Sequence, residues 1–581
     1  MKKLLLGNAA VAQGAYEAGV KVVASYPGTP STEITETIVK ISTPDEIHAE
    51  WAPNEKVAAE VAIGASIGGA RAMSCMKHVG LNVMADPVFT VSYIGANGGL
   101  VFCVADDPGM HSSQNEQDSR HYARASKIAM LEPADSQECK DFTSLAFELS
   151  EKYDTPVFIR LSTRVSHSQS LVEIGARKEI ELKPYEKNIA KNVMMPANAI
   201  KRHVVVEQRI ENLKKFADNA EINKIEDNGS KTGVVCAGIS YMYAKEALGD
   251  KVNYLKLGMV YPMCDNLIKE FAAKQDKIYV IEQLDPYIEE HLKSLGIKVT
   301  GKDAFTLLGE YTPAMIKKAV LGVDAAPSET IDEAIPVRPP VMCAGCPHRG
   351  TFYVLKKLGL TVSGDIGCYT LGAAAPLASV DTTICMGASV SAALGMAKAR
   401  GTEFNKKLVS VIGDSTFMHS GITGLVDIVY NKGANTVIIL DNSITGMTGH
   451  QDNPTTGKTI RGEATKQVDL IKLCKAVGIE HVTVCDPFDV KSFEKVVSEE
   501  VKRDEPSVII AQRPCALLKG VKYTGHCEIG EKCKKCKMCL KLGCPAITAD
   551  GENIKIDATQ CNGCGLCLNV CPFGAIEKKE D

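Results

Sequence analysis

The sequence carries little net charge and no long apolar run. Its 66 Lys and Arg residues nearly balance 70 Asp and Glu residues, which gives a net charge of −4 over 581 residues. This balance predicts no overall attraction to nucleic acid or to anionic membranes. No stretch approaches the roughly 18 consecutive apolar residues of a membrane-spanning helix. The sequence therefore favours a globular protein, for which an apolar content of 45% is typical.

Signals for secretion are also weak. Residues 1–6 are basic and then apolar, but the run ends at Gly7, and no small-residue cleavage site follows. Disulfides are not expected among the 21 cysteines, because many have the spacing of metal ligands, and thiolate ligands need a reducing compartment. We expect a cytoplasmic protein, in which Cys75, Cys103 and Cys236 are buried thiols.

Strand-like and helical segments alternate along most of the chain, which predicts a multidomain α/β protein. Three such units are expected, together with a charged, partly helical linker and a Pro-rich junction from Pro327 to Pro340. A cysteine-rich module ends the chain. The length allows about three to five domains of ordinary size.

Eight cysteines in this last module have the spacing of iron–sulfur ligands. The second run reads C-x2-C-x2-C-x3-C-P, as in bacterial ferredoxins with two clusters, where the fourth ligand comes from the other run. The first run has one more residue before its last cysteine. C-x2-C spacing also suits zinc, but the doubled triplets and the Cys-Pro endings favour two [4Fe–4S] clusters. The expected sets are Cys533, Cys536, Cys539 and Cys571, and Cys561, Cys564, Cys567 and Cys544.

A run of lysines lies among the first of these cysteines, at Lys532, Lys534, Lys535 and Lys537. We expect a solvated face, and a docking patch for an acidic redox partner is the alternative.

Two predicted strands further upstream end in polar residues. The strand at 408–412 is followed by Gly413-Asp414-Ser415, and the strand at 436–440 is followed by Asp441-Asn442. In one βαβ unit both ends fall at the carboxyl edge of neighbouring strands, where ligands bind. Carboxylate and amide oxygens suit Mg²⁺, and Gly413 lets the backbone approach a diphosphate. An ordinary βαβ unit with a polar turn is the alternative.

This pattern resembles the motif of thiamine diphosphate enzymes. The likeness implies that Asp414, Asn442 and the carbonyl of Ile444 hold Mg²⁺ against the diphosphate. It also implies a glutamate, supplied across a domain or subunit boundary, that protonates the aminopyrimidine. Glu55 is the candidate, and Glu60 is expected to be a solvated helix residue. The residues assigned to cofactor binding are Gly80, Asn82, Gly387, Gly413, Ser415 and Thr448.

The loop that follows the predicted strand 72–76 contains His78, Gly80 and Asn82. In decarboxylases of the thiamine type a Gly/Asn loop in this place faces the cofactor. His78 is a candidate catalytic proton donor, although a structural hydrogen-bonding role is favoured.

Two further motifs resemble those of the 2-oxoacid:ferredoxin oxidoreductase family. The segment 25–31 is similar to its Y-P-x-T-P-S motif, whose threonine, here Thr29, touches the substrate. The family also has a third [4Fe–4S] cluster beside the thiamine. The cysteines that fit its ligand pattern are Cys343, Cys346, Cys368 and Cys515. A C-x2-C turn with two unrelated buried thiols is the alternative.

The resemblance covers essentially the whole chain and implies its domains. They are a pyrimidine-binding thiamine domain (1–180), a linker (181–230), a transketolase C-terminal-like domain (231–325), a diphosphate-binding domain with the proximal cluster (340–518) and a ferredoxin-like α+β domain with two clusters (525–581). This order is most similar to the larger subunits of the indolepyruvate-type enzymes of the family. The family's remaining catalytic piece, the "gamma" domain, is absent from this sequence, and a separate, smaller beta subunit is expected to carry it.

The implied reaction is oxidative decarboxylation of an aryl 2-oxoacid with coenzyme A, and the electrons pass through the clusters to ferredoxin. Other 2-oxoacids, of the phenylpyruvate or branched-chain type, are alternatives. A non-oxidative thiamine decarboxylase and an electron-transfer subunit without catalysis are the alternatives from other classes.

Overall fold

The computed structural model describes residues 1–324, 332–336 and 339–580. Much of the junction predicted from Pro327 to Pro340 lies outside the described residues. The chain forms two compact units, Met1–Ile331 and Asp332–Asp581. In the part of the chain that is described, no helix has both the length and the apolar character needed to cross a membrane.

The first unit is of the predicted α/β type. Its strands are β1 (Lys2–Leu6), β2 (Val22–Ser25), β3 (His48–Trp51), β4 (Ala72–Lys77), β5 (Leu100–Asp106), β6 (Ala129–Leu131), β7 (Val157–Ser162), β8 (Gln169–Glu173), β9 (Lys224–Glu226), β10 (Thr232–Ala237), β11 (Asn253–Leu257), β12 (Met259–Tyr261) and β13 (Lys277–Ile281). Its α-helices are α1 (Gly7–Glu17), α2 (Thr32–Ile41), α3 (Glu55–Ile67), α4 (His78–Val83), α5 (Ala85–Ile94), α6 (Arg120–Ser126), α7 (Ser136–Tyr153), α8 (Thr163–His167), α9 (Ile189–Asn192), α10 (Pro196–Asn219), α11 (Gly238–Leu248), α12 (Asp265–Ala272), α13 (Tyr287–Ser294) and α14 (Pro313–Leu321).

A seven-stranded sheet organises the N-terminal part of this unit, in the order β12-β6-β7-β5-β4-β2-β3. All neighbouring pairs are parallel except β12 with β6. Every residue of β5 and of β7 is buried, which is typical of parallel strands covered on both faces. Helices α1, α2 and α7 pack together, and α3, α4 and α5 form a second group.

A second sheet has the order β13-β10-β11-β9, in which only β9 is antiparallel to its neighbour. In strands β10 and β13 of this sheet, every residue after the first is buried. The segment expected to be a partly helical linker contains the 24-residue helix α10. This helix packs against α5 and α12 and buries Val206, Ile210 and Leu213, so much of the segment is an integral part of the unit.

A buried ion network joins the two sheets. The Arg120 guanidinium donates to Glu282 at 2.6 Å and to Asp118 at 2.5 Å, and all three side chains are almost fully buried. Removing one partner of such a network typically costs about 3–5 kcal/mol, because it leaves a buried charge uncompensated.

The second unit is built on a five-stranded, fully parallel sheet with the order β14-β15-β16-β18-β17. The strands of the unit are β14 (Thr361–Ser363), β15 (Leu408–Gly413), β16 (Thr436–Asp441), β17 (His481–Cys485), β18 (Ser507–Gln512), β19 (His526–Ile529), β20 (Ile547–Asp550), β21 (Asn553–Ile556) and β22 (Ile576–Lys579). Its α-helices are α15 (His348–Leu358), α16 (Ala388–Arg400), α17 (Thr402–Asn405), α18 (Asp414–Thr416), α19 (Ile422–Tyr430), α20 (Leu470–Ala476), α21 (Val490–Glu500) and α22 (Leu566–Val570).

The predicted βαβ unit is present, because β15 and β16 pair directly in parallel. A π-helical turn, Phe417–Gly421, joins α18 to α19, and such turns are frequent at functional sites. The C-terminal module has two antiparallel ribbons, β19 with β22 and β20 with β21.

Candidate functional site

In the first unit, the candidate residues lie at the carboxyl edge of the seven-stranded sheet. Strand β2 pairs in parallel with both β3 and β4. The loop with Thr29 follows β2, Glu55 follows β3, and His78 follows β4 directly. Because parallel strands end at the same edge, the fold brings these three segments together at the place where ligands bind in open α/β sheets.

Glu55 is the first residue of α3 and is only 4% exposed. The side chain of Asn54 caps the helix by accepting a hydrogen bond from the Val57 amide at 2.9 Å. A Cβ atom at Gly80 would lie 2.6 Å from Glu55 Oε1, so glycine leaves the room that this carboxylate occupies. Glu60 is exposed and pairs with Lys56 at 2.6 Å. The two candidate glutamates thus differ sharply in burial.

His78 is 1% exposed, and its Nε2 lies 3.2 Å from the carbonyl oxygen of Asn115. Its Nδ1 is buried and has no hydrogen-bond partner. Burial lowers the pKa of His78, so the ring is neutral near pH 7. A buried ring nitrogen without a partner costs about 1–3 kcal/mol, which a bound polar group would recover. Asn82 is exposed, and its Oδ1 accepts a hydrogen bond from the Tyr122 hydroxyl at 2.6 Å.

Lys77 is a residue at this edge that sequence reasoning missed. A Cβ at Gly28 would lie 3.3 Å from Lys77 Cγ, so its stem contacts the loop that carries Thr29. Its ammonium donates to the Ser112 carbonyl at 2.8 Å. Burial lowers the pKa of Lys77, and the charges of Asp107 and Glu55 partly oppose that shift. A lysine beside a predicted loop has no distinguishing spacing, and only the fold shows its position.

In the second unit, polar residues follow four adjacent strands of the five-stranded sheet. Asp365 follows β14, Asp414 follows β15, Asn442 follows β16 and Cys515 follows β18. The predicted metal ligands and two of the predicted cluster cysteines are therefore on one edge, since Cys368 lies three residues beyond Asp365.

Three oxygen atoms converge between β15 and β16. Asn442 Oδ1 lies 2.8 Å from the Ile444 carbonyl oxygen and 3.2 Å from Asp414 Oδ1. The Asn442 side-chain amide can offer its nitrogen to both oxygens as a hydrogen-bond donor, or its oxygen to a shared divalent cation, since all three groups then offer oxygen. These residues are the predicted Mg²⁺ ligands, and their chemistry fits that ion.

The electrostatics of Asp414 also fit a cation. The carboxyl is 2% exposed, and burial together with the charge of Asp441 raises its pKa to about 7. The Thr455 hydroxyl donates to Asp414 Oδ2 at 3.0 Å. A divalent ion would offset the cost of burying this carboxylate.

In this unit, two of the three glycines predicted to bind the cofactor occupy positions where a side chain would clash or the backbone would be strained. A Cβ at Gly413 would lie 2.6 Å from the ring of Tyr369. Gly387 has a φ of +89° and precedes α16. Its amide donates to the buried carboxylate of Asp365 at 2.9 Å, as does the amide of Ser389. Asp365 thus ties the start of α16 to the end of β14.

The two predicted hydroxyl residues lie in a hydrogen-bonded loop. Ser415 Oγ accepts a hydrogen bond from the Thr445 hydroxyl at 2.9 Å. The Thr448 hydroxyl donates to Gln451 Oε1 at 2.6 Å. These bonds order the segment that follows Asn442.

The structure brings the four predicted proximal cysteines together. Burial raises the pKa of Cys368 to about 11, and the charges of Cys515 and Cys343 add to the shift. Burial also raises the pKa of Cys346 to about 12, with smaller contributions from Cys368 and Cys343. Neighbouring thiols that are costly to ionise alone suit a cationic iron cluster, because iron stabilises the thiolates.

This cysteine group borders the loop that holds the three converging oxygens. The Cys515 amide donates to the Asn442 carbonyl at 3.0 Å. A Cβ at Gly446 would lie 3.4 Å from Cys368 Sγ and 3.9 Å from the Asn442 side chain. The candidate cluster and the candidate Mg²⁺ site are therefore separated by little more than one loop.

The C-terminal module has two cysteine-lined cavities, and each takes three cysteines from one run and one from the other. The outer cavity is lined by Cys533, Cys536, Cys539 and Cys571. The inner cavity is lined by Cys544, Cys561, Cys564 and Cys567, together with Cys527. Sequence spacing did not identify Cys527 as part of this group.

Within the described residues, the one group of three candidate metal-ligand atoms that lie within 4.8 Å of one another is Asp118, His121 and Asp285. The crossed grouping of the module cysteines, three from one run and one from the other, is the arrangement expected for two [4Fe–4S] clusters.

Backbone amides donate to several of the cavity sulfurs. The Cys527 amide donates to Cys561 Sγ at 3.3 Å, and the Lys535 amide donates to Cys533 Sγ at 3.4 Å. The Ala575 amide donates to Cys571 Sγ at 3.3 Å. Such donors favour thiolate ligands and help to set cluster potentials.

Arg349 connects the proximal cysteines to the C-terminal module. It is 2% exposed, and it donates to the carbonyls of Met342 and Cys343 on one side. On the other side it donates to the carbonyls of Leu542, at 2.9 Å, and Gly543, at 2.5 Å. Burial lowers its pKa, and the nearby cysteine charges oppose the shift.

Comparison with known proteins gives matches in three parts of the chain. Residues 13–231 match the family described as pyruvate flavodoxin/ferredoxin oxidoreductase, thiamine diphosphate-binding. Residues 365–511 match the C-terminal thiamine pyrophosphate-binding domain of thiamine pyrophosphate enzymes. Residues 554–577 match a 4Fe-4S binding domain. The described sheets and these matches confirm the predicted fold class.

Similar proteins extend over nearly the whole length. Subunit IorA of indolepyruvate oxidoreductase from Archaeoglobus fulgidus is 40% identical over 99% of this chain and 97% of its own length. The protein of the same name from Pyrococcus horikoshii has the same identity and the same coverage. A solved 2-oxoglutarate:ferredoxin oxidoreductase from Magnetococcus marinus is 20% identical over 55% of this chain and 65% of its own, with a TM-score of 0.48, too low to support an argument.

Fold, site and relatives define a thiamine diphosphate-dependent 2-oxoacid:ferredoxin oxidoreductase that carries iron–sulfur chemistry. The chain belongs to the IorA family of subunits of such enzymes.

Proposed function

We propose that this chain oxidises aryl 2-oxoacids of the indolepyruvate type with coenzyme A. The 2-oxoacid and the thiol of coenzyme A give acyl-CoA, CO₂ and a proton. Two electrons are released and leave one at a time through [4Fe–4S] clusters to two molecules of ferredoxin. Bound thiamine diphosphate supplies an electron sink for the loss of CO₂.

The observation that carries this proposal is the closeness of two centres in the second unit. The oxygens of Asp414, Asn442 and Ile444 would hold Mg²⁺ and, through it, the diphosphate. Cys343, Cys346, Cys368 and Cys515 would hold a cluster across the Gly446 loop, within reach of electrons released at the cofactor. A non-oxidative decarboxylase has no need of a redox centre at this place.

Glu55 and His78 are proposed to handle protons. Glu55 is held in a dry environment, where a carboxylate is an effective general acid or base for the aminopyrimidine. His78 keeps an unpaired Nδ1, which can accept a hydrogen bond from a bound group. Thr29 is proposed to touch the substrate.

The C-terminal module is proposed to carry two more [4Fe–4S] clusters. The inner one would use Cys544, Cys561, Cys564 and Cys567, and the outer one would use Cys533, Cys536, Cys539 and Cys571. The amide donors to three of these sulfurs support thiolate ligation.

The aryl substrate rests on the names of the relatives, which are called indolepyruvate oxidoreductase subunits. We also propose as partner a smaller beta subunit that carries the gamma-type domain, because the relatives are named as subunits of indolepyruvate oxidoreductase. The alternative within the class is an enzyme for phenylpyruvate-type or branched-chain 2-oxoacids.

An anaerobic assay tests these proposals. The chain is purified from its native source with any bound subunit and is given indolepyruvate, phenylpyruvate, a branched-chain 2-oxoacid or 2-oxoglutarate, with and without coenzyme A. We expect the highest kcat/KM for indolepyruvate, and ferredoxin reduction that requires coenzyme A. Equal CO₂ release without an electron acceptor would establish a non-oxidative decarboxylase instead. Full activity of the isolated chain would exclude a required partner.

A further inference from the structure

The outer cavity of the C-terminal module lies under a patch of unpaired positive charge. Residues 531–541 contain five lysines and one acidic residue, Glu531, a local net charge of +4 in a chain whose total is −4. All five side chains are exposed. None of them forms an ion pair within the described residues. We call these residues the lysine patch: Lys532, Lys534, Lys535, Lys537 and Lys541.

The patch surrounds the edge of the outer cavity. Lys534 and Lys537 line that cavity together with Cys533 and Cys536, and Cys536 is itself exposed. Phe573 lines the same cavity and is 47% exposed. An apolar group in the middle and charges around it are the usual anatomy of a protein interface.

The two cavities occupy different positions relative to the proximal cysteines. Ala344, Gly345 and Arg349 belong to the proximal segment and also line the inner cavity. Asn562, next to Cys561, donates to the Ala344 carbonyl at 3.2 Å. The outer cavity is lined only by residues of the C-terminal module. An electron that leaves the proximal cysteines therefore reaches the inner cavity first and the outer one last.

We infer that the lysine patch is the docking surface for an acidic one-electron carrier protein, which takes electrons from the outer cluster. This inference rests on the proposed function for the presence of the clusters and adds the exit point and the partner surface. The positive patch attracts an acidic carrier and speeds its encounter. Because Cys536 is exposed, the side of the outer cluster that it would hold lies near the surface. This position shortens the electron-transfer distance to a bound carrier.

The charge pattern favours a carrier protein over nucleic acid or an anionic membrane. The patch spans eleven residues around a single cysteine cavity, whereas the total charge of the chain is negative. A redox centre at the middle of a contact has a use only when the bound partner accepts electrons. Binding to vesicles or polynucleotide is therefore an outcome that opposes the inference.

The test is a triple variant, Lys532→Gln with Lys535→Gln and Lys541→Gln. None of these side chains lines the outer cavity, so the clusters should remain, and iron content and EPR spectra check this. The matched control is Lys432→Gln with Lys472→Gln and Lys475→Gln, which removes the same charge. These exposed lysines flank the core on the other face of the five-stranded sheet, away from the core that contains the module cysteines.

Two readouts avoid dependence on 2-oxoacid turnover. One is the Kd for an acidic two-cluster ferredoxin. The other is stopped-flow electron transfer to oxidised ferredoxin from protein that is reduced with dithionite and then freed of the excess. At low salt, we expect the patch variant to have a Kd for ferredoxin about tenfold higher than wild type and an electron-transfer rate about tenfold lower. Both differences should shrink as the salt concentration rises. Reduction of methyl viologen should be unchanged.

Three results would overturn the inference. One is ferredoxin transfer in the patch variant equal to wild type. Another is an equal loss in the control variant. The third is a loss of binding to anionic vesicles or polynucleotide with ferredoxin transfer intact. If 2-oxoacid turnover is absent in all proteins but ferredoxin transfer still depends on the patch, the proposed function fails and the docking surface stands.

Discussion

Replacing Arg349 by methionine should loosen the C-terminal module from the proximal cysteine segment. The guanidinium is buried and donates to the carbonyls of four residues, two in each segment. Methionine fills a similar volume but offers no donor. The carbonyls of Met342, Leu542 and Gly543 would lose this donor, whereas the carbonyl of Cys343 would keep the hydrogen bond from the Cys346 amide at 3.2 Å.

The size of the effect follows from these bonds. At about 1 to 1.5 kcal/mol for each hydrogen bond, the four contribute about 4–6 kcal/mol. Water that enters the gap would satisfy part of the freed carbonyls, so we take the lower value. About 4 kcal/mol corresponds to a factor of roughly 10³ in the equilibrium for local opening, at 1.4 kcal/mol for each factor of ten.

Hydrogen exchange read by mass spectrometry measures this opening directly. Amides of residues 538–545 and 342–346 should exchange roughly 10³-fold faster in Arg349→Met. The exchange rates in Arg349→Lys should lie between those of wild type and Arg349→Met, because lysine keeps the charge but cannot donate to all four carbonyls. Arg400→Met is the control, since the side chain of Arg400 is exposed and lies over the ring of Phe404 at the surface. Exchange in Arg349→Met that equals wild type would refute the reasoning.

Three further predictions concern the candidate site. Glu55→Gln should keep fold and iron but lose roughly 10²–10⁴-fold in 2-oxoacid turnover, as expected for removal of a general acid; Glu60→Gln should stay active, and the opposite pattern would identify Glu60. Asp414→Ala should raise the Mg²⁺ and thiamine diphosphate concentrations needed for binding, measured by calorimetry, whereas the exposed Asp427→Ala should not; equal affinities would exclude Asp414 as a ligand. Cys368→Ser should lower the iron content from about 12 to about 8 atoms per chain, because one of three four-iron clusters is lost. An unchanged iron content would show that Cys368 is not a cluster ligand.

Much of the fold was predictable because its signals are local. The βαβ unit of β15 and β16 is marked by two continuous apolar runs, each with a polar residue directly after it. Strand β4 is equally clear, since a central parallel strand is buried on both faces. The cysteine spacing also indicates clusters, because ligands three residues apart can bind the same small group. The burial of Glu55 was harder to predict, as Glu60 lies on the same helix with a similar neighbourhood.

Other features depend on which residues meet across long separations, and only the tertiary structure decides them. The position of Lys77 beside Gly28, the approach of Thr455 to Asp414, and the two bonds from Arg349 to the C-terminal module join segments 41 to 194 residues apart. No periodicity encodes such pairs, because they arise where strands and loops are brought to a common edge. The sequence by itself determined the classes of domain, and it predicted the cysteine sets and the oxygen ligands. The fold decided how burial, neighbouring charge and packing make those residues into a site.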